Sequence, residues 1–180
     1  MEDISCALIG YGGIAEFHAD AIRQIAGARI KTVVGRREEP AKTFATKHSA
    51  EESTINLDDV LSDDRIQAII ITSPSELHFE QASKALDAGK HVLVEIPLAM
   101  SHEGARTLAG RARQVNRKVL VAHTRRFDDV GRFAKDFIES GKTGVIYQHH
   151  AMSCWHRHEN VGWTGYNRSW TDDVLFHHGC

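Results

Sequence analysis

Two short stretches of the chain hold residues whose types and spacing suit a phosphate-bearing dinucleotide. The first is Gly10-Tyr11-Gly12-Gly13-Ile14-Ala15, which follows the apolar run Ile4–Ile9 and opens a helix-period segment. A G-x-G-x-x-A turn between a strand and a helix is the fingerprint of a dinucleotide-binding βαβ unit. Gly10 permits the tight turn, Gly12 lets the backbone approach a pyrophosphate, and Ala15 keeps the helix close to the sheet. The helix N-terminus offers its free N–H groups, those of Gly13 and Ile14 included, to the phosphates. The second stretch is Gly35-Arg36-Arg37, at the end of the second predicted strand, 28–34. A dinucleotide domain usually places an acidic residue there, against the ribose hydroxyls of NAD. A carboxylate would repel a 2′-phosphate, whereas guanidinium groups pair with it bidentately. The pattern predicts NADP in preference to NAD; the alternative is two solvated arginines at the start of a surface helix.

Ligands of open α/β sheets lie beyond the carboxyl ends of the strands, so two further loops face the same crevice. In Thr72-Ser73-Pro74-Ser75-Glu76-Leu77-His78, Pro74 fixes the turn and Ser73 offers a hydroxyl and an amide. His78 falls on the first turn of the next helix, either as a cofactor contact or as a surface histidine. In Glu95-Ile96-Pro97-Leu98-Ala99, Glu95 ends an apolar strand. Its carboxylate is either a polar strand terminus or a contact to ribose or nicotinamide.

These loops need a doubly wound parallel sheet to hold them. Short apolar runs alternate with helix-period segments through the first two-thirds of the chain, as a parallel sheet covered on both faces requires. Strands are predicted at Ile4–Ile9, Ala28–Val34, Ala68–Ile71, His91–Val94 and 118–122. Helices are predicted near 14–26, 38–47, 57–61, 75–88 and 102–115, with Ser75 and Ser101 as N-caps and Gly89 as a stop. Beyond about residue 120 the texture changes. A further amphipathic helix is expected over 127–140 and a strand over 145–155, followed by a polar stretch rich in tryptophan and histidine. The organisation expected is a dinucleotide-binding domain over 1–122 and the start of a second domain, of α+β antiparallel-sheet type, over 123–180.

With 180 residues, 42% of them hydrophobic and 26% charged, the chain has the size and composition to bury a core. A formal charge of −2 without a basic stripe argues against nucleic acid as a partner. No run approaches the roughly 18 to 20 apolar residues of a membrane span. Met1-Glu2-Asp3 leads directly into a core strand and does not read as a signal peptide. Cys6, Cys154 and Cys180 are odd in number and far apart, which points to a reducing, cytoplasmic setting with Cys6 as a buried thiol.

Together, the G-x-G-G-I-A opening, the T-x-P-x-x-x-H loop, E-x-P-L-A and the arginine-containing loop after residue 122 resemble the glucose-fructose oxidoreductase/inositol dehydrogenase family. The resemblance spans essentially the whole chain. It implies an N-terminal Rossmann domain and a C-terminal open antiparallel sheet that carries the substrate site and the oligomer interface. The family's Glu-Lys-Pro signature is changed here: Ile96 stands in the lysine position and can neither donate a proton nor polarise an oxygen. Within the family, Val94–Ala99, His123–Phe127 and Arg168–Asp172 with Leu175–His178 resemble the 4-carboxy-2-hydroxymuconate-6-semialdehyde dehydrogenase subgroup. That resemblance implies NADP-dependent oxidation of a cyclic hemiacetal to the lactone 2-pyrone-4,6-dicarboxylate.

Such a substrate carries two carboxylates, for which Arg125, Arg126 and Arg168 are candidate partners, with structural salt bridges as their other role. Loss of the hemiacetal proton calls for a base, and His123, His177 and His178 are the candidates. In the wider family an Asp precedes a catalytic His by four residues. His177 occupies the Asp position, and the chain stops one residue short of the His. The expected alternatives are a sugar or dihydrodiol dehydrogenase of the same family, or a catalytically inactive nucleotide-binding fragment. A complete second domain would make a homo-oligomer. The pairs His149-His150 and His177-His178 put adjacent rings on opposite faces of a strand, and nothing completes a site around His156 and His158, so no metal is predicted.

Overall fold

Apolar side chains at nearly every position suit strands that are covered on both faces, and such runs form the middle of a parallel sheet. The computed structural model describes residues 3–150 and Met152. Its strands are β1 (Ile4–Ile9), β2 (Ala28–Val34), β3 (Glu52–Thr54), β4 (Ala68–Ile71), β5 (His91–Val94) and β6 (Val119–Val121). They lie in the order β3-β2-β1-β4-β5-β6, and every pairing is parallel. That order is the doubly wound dinucleotide-binding arrangement. The helices are α1 (Gly13–Arg23), α2 (Glu38–Lys47), α3 (Leu57–Leu61), α4 (His78–Asp87), α5 (His102–Gln114) and α6 (Asp129–Glu139). The described residues fall into two compact units, one running to Ala122 and one beginning at His123.

Alternation along the strands divides the first unit's core in two. Ala7, Ile9, Ile69, Ile71, Val92 and Val94 face one layer, with Ala82, Ala85 and Leu86 of α4 and Leu108 of α5. Cys6, Leu8 and Ile70 face the other, with Ala15, Ala19 and Ile22 of α1 and Ala41, Phe44 and Ala45 of α2. Burial pushes the free Cys6 thiol up to about 11. Ser101 caps α5 as expected, accepting from the Gly104 N–H at 3.1 Å. Ser75 caps no α-helix: residues 75–77 form a single 3₁₀ turn ahead of α4.

β2 departs from simple alternation. Cys6 pairs with Ile30 and Ala7 with Thr32, which leaves Lys31 as an extra residue, a β-bulge. Ile30 and Val33, three apart, therefore face the same core layer. The bulge turns the Lys31 side chain inward, where it is 1% exposed. Its ammonium donates to Glu52 at 2.8 Å and lies 3.3 Å from Asp63. Arg65 holds Asp63 in turn through two 2.9 Å bonds.

The Arg65 side chain keeps the Asp63 carboxyl well below the usual carboxylate range, helped by Lys31. The Lys31 ammonium is raised, chiefly by its bond to Glu52. A depressed carboxyl stabilises the fold above its unfolded pKa, and that contribution disappears as pH falls through the folded value. A raised ammonium does the reverse on the alkaline side. Asp63→Asn is thus expected to flatten the acid limb of a melting-temperature profile below about pH 4. Lys31→Ala is expected to cost about 3 kcal/mol in denaturant unfolding, the low end for a broken buried pair because the exposed Glu52 rehydrates.

In the second unit, Asp128 caps α6 by accepting from the Gly131 N–H at 2.6 Å. The apolar side chains Val130, Phe133, Phe137 and Ile138 are exposed, and the Phe133 and Phe137 rings stack 6.0 Å apart. The strand expected over 145–155 is not present in its described part: residues 145–150 are irregular. Strand pairing needs a neighbour, and no strand among the described residues pairs with this segment.

Candidate functional site

β1 and β4 are neighbours, although the chain visits β2 and β3 between them. Connections leave in opposite directions there, which opens a crevice beyond the strand ends. Gly10 stands at that point with φ +106, a conformation that costs other residues strain. A Cβ on Gly10 would lie 2.6 Å from Thr72 Oγ1 and 2.9 Å from the Thr72 carbonyl oxygen. The buried Thr72 closes the other side, its hydroxyl and its N–H both donating to the Ile9 carbonyl, at 2.7 and 2.9 Å. Gly12, extended, is the N-cap of α1, and no side chain caps the helix. Its carbonyl accepts from the Ala15 and Glu16 N–H groups. Among the described residues the Gly13 and Ile14 N–H groups have no acceptor, which leaves them to an incoming anion.

At the end of β2, the Gly35 N–H donates to Thr54 at 2.9 Å. The Tyr11 ring reaches across to lie against Gly35. Arg36 and Arg37 are exposed, and neither guanidinium has an ion pair among the described residues.

Beyond β4, Ser73 is half-buried and its hydroxyl donates to Gln81 at 2.5 Å. His78 is not the surface histidine that its position allowed, since it is 1% exposed. Nor is its ring free to hold a ligand, because Nδ1 lies 2.7 Å from the Pro97 carbonyl oxygen and Nε2 lies 2.9 Å from that of Ser73. The expectation of a cofactor contact is corrected accordingly: His78 braces the Ser73-Pro74 loop against the Ile96-Pro97 loop. Pro74 ends the extended approach to that brace.

Glu95, beyond β5, is oriented by a residue that sequence reasoning missed. His18 Nε2 lies 2.6 Å from Glu95 Oε1, with both side chains about 15% exposed. The Ile96 N–H donates to the other carboxylate oxygen at 3.3 Å. His18 lies three residues after Ala15 and four before Ile22, on the inward stripe of α1. A polar ring on such a stripe needs a partner, and that was the available signal.

The chain matches, over residues 4–123, the Gfo/Idh/MocA family described as "Oxidoreductase family, NAD-binding Rossmann fold". The chain belongs to this family. Among its relatives is a 4-carboxy-2-hydroxymuconate-6-semialdehyde dehydrogenase of a Sphingobium species, 36% identical over 97% of this chain and 55% of the relative. A scyllo-inositol 2-dehydrogenase (NAD(+)) of Bacillus subtilis is 30% identical over 78% of this chain and 42% of the relative. Among solved structures, scyllo-inositol dehydrogenase from Lactobacillus casei with bound NAD(H) and scyllo-inositol superposes with a TM-score of 0.74. It is 30% identical and is matched over 79% of this chain and 43% of that one. The chain therefore spans about half the length of these relatives.

In this member of the Gfo/Idh/MocA family, Gly10, Tyr11, Gly12, Gly13, Ile14, Arg36, Arg37, Ser73, Pro74 and Glu95 all stand at the carboxyl edge of one sheet. Close contacts tie its loops: Gly10 to Thr72, Tyr11 to Gly35, His18 to Glu95, and His78 to both Ser73 and Pro97. His123, half-buried, and the exposed Arg125 and Arg126 open the second unit in a 3₁₀ turn. The Arg125 guanidinium lies 3.5 Å from Asp128. Arg168, His177 and His178 lie outside the described residues. Among the described residues, no three His, Cys, Asp or Glu side chains are grouped to hold a metal ion, and no helix is long and apolar enough to cross a membrane.

Proposed function

We propose that this chain carries the cofactor site of an NADP-dependent dehydrogenase whose substrate is the cyclic hemiacetal of 4-carboxy-2-hydroxymuconate semialdehyde. The observation that carries the cofactor preference is the end of β2, where a glycine and two unpaired, exposed guanidiniums stand in place of a carboxylate. The substrate reading is supported by the 36% identical relative, matched along 97% of this chain.

The cradle fits a dinucleotide. Gly10 leaves no side chain between the turn and β4, and the Gly13 and Ile14 N–H groups would hold the diphosphate. Arg36 and Arg37 would hold the 2′-phosphate. When bound, the oxidised nicotinamide supplies the hydride acceptor. Glu95, held by His18, would take a ribose or nicotinamide polar group. A histidine would take the hemiacetal hydroxyl proton, the proton loss that oxidation to the lactone, 2-pyrone-4,6-dicarboxylate, requires. Ile96 has no proton to move, so the base is His123, His177 or His178. Arg125, Arg126 and Arg168 would neutralise the two substrate carboxylates. The proposed organisation is a cofactor domain over 1–122 and the beginning of a substrate and oligomerisation domain over 123–180. The proposed setting is the cytoplasm, in keeping with the free Cys6 thiol.

The inositol dehydrogenase relatives favour a second reading, oxidation of a polyol. NADP reduction, followed by the absorbance of the reduced nicotinamide, with a panel of dicarboxylate hemiacetals, inositols and dihydrodiols decides between them. Turnover confined to the dicarboxylates supports the first reading, and turnover confined to polyols replaces it. Cofactor binding with no turnover of any substrate identifies a nucleotide-binding piece without activity of its own.

A further inference from the structure

Glycine is kept in a protein either for a backbone conformation or for space. Gly35 lies outside the left-handed region, so its backbone is open to any residue. Space is what it lacks. A Cβ there would lie 2.6 Å from Tyr11 Cε1, 2.8 Å from Tyr11 Cδ1 and 2.6 Å from Ala41 Cβ. Carbon atoms in contact prefer about 3.5–4.0 Å, so both neighbours would have to move. Neither moves cheaply. Ala41 is fully buried in the first turn of α2, immediately after the two arginines. Tyr11 is carried by the diphosphate turn itself, between Gly10 and Gly12, and packs on the core beneath α1 and α2.

We infer that Tyr11 and Ala41 are specificity-determining residues, whose side chains fill the place that an NAD-type carboxylate at position 35 would need. This deepens the NADP reading and rests on it. The arginines attract the 2′-phosphate, and the Tyr11–Gly35–Ala41 interlock shuts out the group that would select against it. Selectivity gains from such exclusion as much as from attraction. The interlock also joins the two phosphate subsites, because a side chain at position 35 displaces the ring and with it the turn.

The test is a titration of NADP and NAD against three forms of the protein: wild type, Gly35→Asp, and Gly35→Asp combined with Tyr11→Ala and Ala41→Gly. Gly35→Asp alone is expected to weaken NADP by more than about tenfold without improving NAD, and the triple variant to bind NAD about tenfold or more tighter than Gly35→Asp. If Gly35→Asp alone binds NAD as tightly as the triple variant, the interlock is overturned. Thermal melts of Gly35→Ala, with and without Tyr11→Ala, give a second arm that tolerates loss of the aspartate variant. The drop caused by Gly35→Ala should be at least halved when the ring is absent, and strictly additive drops would overturn the interlock. A wild-type protein that prefers NAD would sink the NADP reading alone, since the comparison of single and triple variants uses NAD only.

Discussion

Gly10→Ala is expected to cost about 2–5 kcal/mol of stability and to weaken dinucleotide binding at least about a hundredfold. Two penalties combine at this position. The backbone is at φ +106, and the new methyl group would press on the Thr72 hydroxyl and carbonyl at 2.6 and 2.9 Å. Relief requires the turn to withdraw from β4, and the Gly13 and Ile14 N–H groups move with it. Gly27→Ala is the matched control. Gly27 also has positive φ, at +80, but its nearest neighbour would be Asp3 Oδ1 at 3.5 Å. It is expected to lose stability through strain alone and to keep its affinity. Calorimetric titration and denaturant unfolding of the two variants separate the effects. Equal affinity losses would show that the cradle at Gly10 does not contact the cofactor.

The second large effect is expected at the end of β2. Arg36→Ala with Arg37→Ala should weaken NADP by about 10- to 100-fold, the loss of one hydrogen bond to a charged group worth about 1.5–3 kcal/mol. NAD should change by less than about threefold, because it lacks the group these side chains would pair with. Both arginines are exposed, so the wild-type preference should also shrink as salt is raised. A loss shared equally by NAD and NADP would remove the 2′-phosphate from the account.

Much of this architecture was legible because parallel strands announce themselves by apolar runs. β1, β4 and β5 begin and end where those runs do, and β2, which carries Arg29, Lys31 and Thr32, still matches its predicted bounds. β3 was not legible: Glu52-Ser53-Thr54 has no apolar position, and it is a strand because β2 offers it a partner at the sheet edge. The loops of the site could be read from glycine, proline and charge at strand ends. The contacts between them could not, since the His18–Glu95 bond and the His78 brace join residues 77 and 19 positions apart. Burial of Lys31 was hidden for a related reason. A bulge leaves no mark on composition, and its trace is the three-residue spacing of Ile30 and Val33 where alternation calls for two.

That surplus residue has a reach well beyond its own ion pairs. Strand side chains follow an even–odd parity, and one inserted position inverts it for everything downstream. Thr32 to Gly35 are presented in the inverted sense, so the glycine arrives beneath Tyr11 and the arginines follow from there. The nucleotide preference proposed for the carboxyl edge would thus be phased by a lysine anchored within β2, one strand from the sheet's margin.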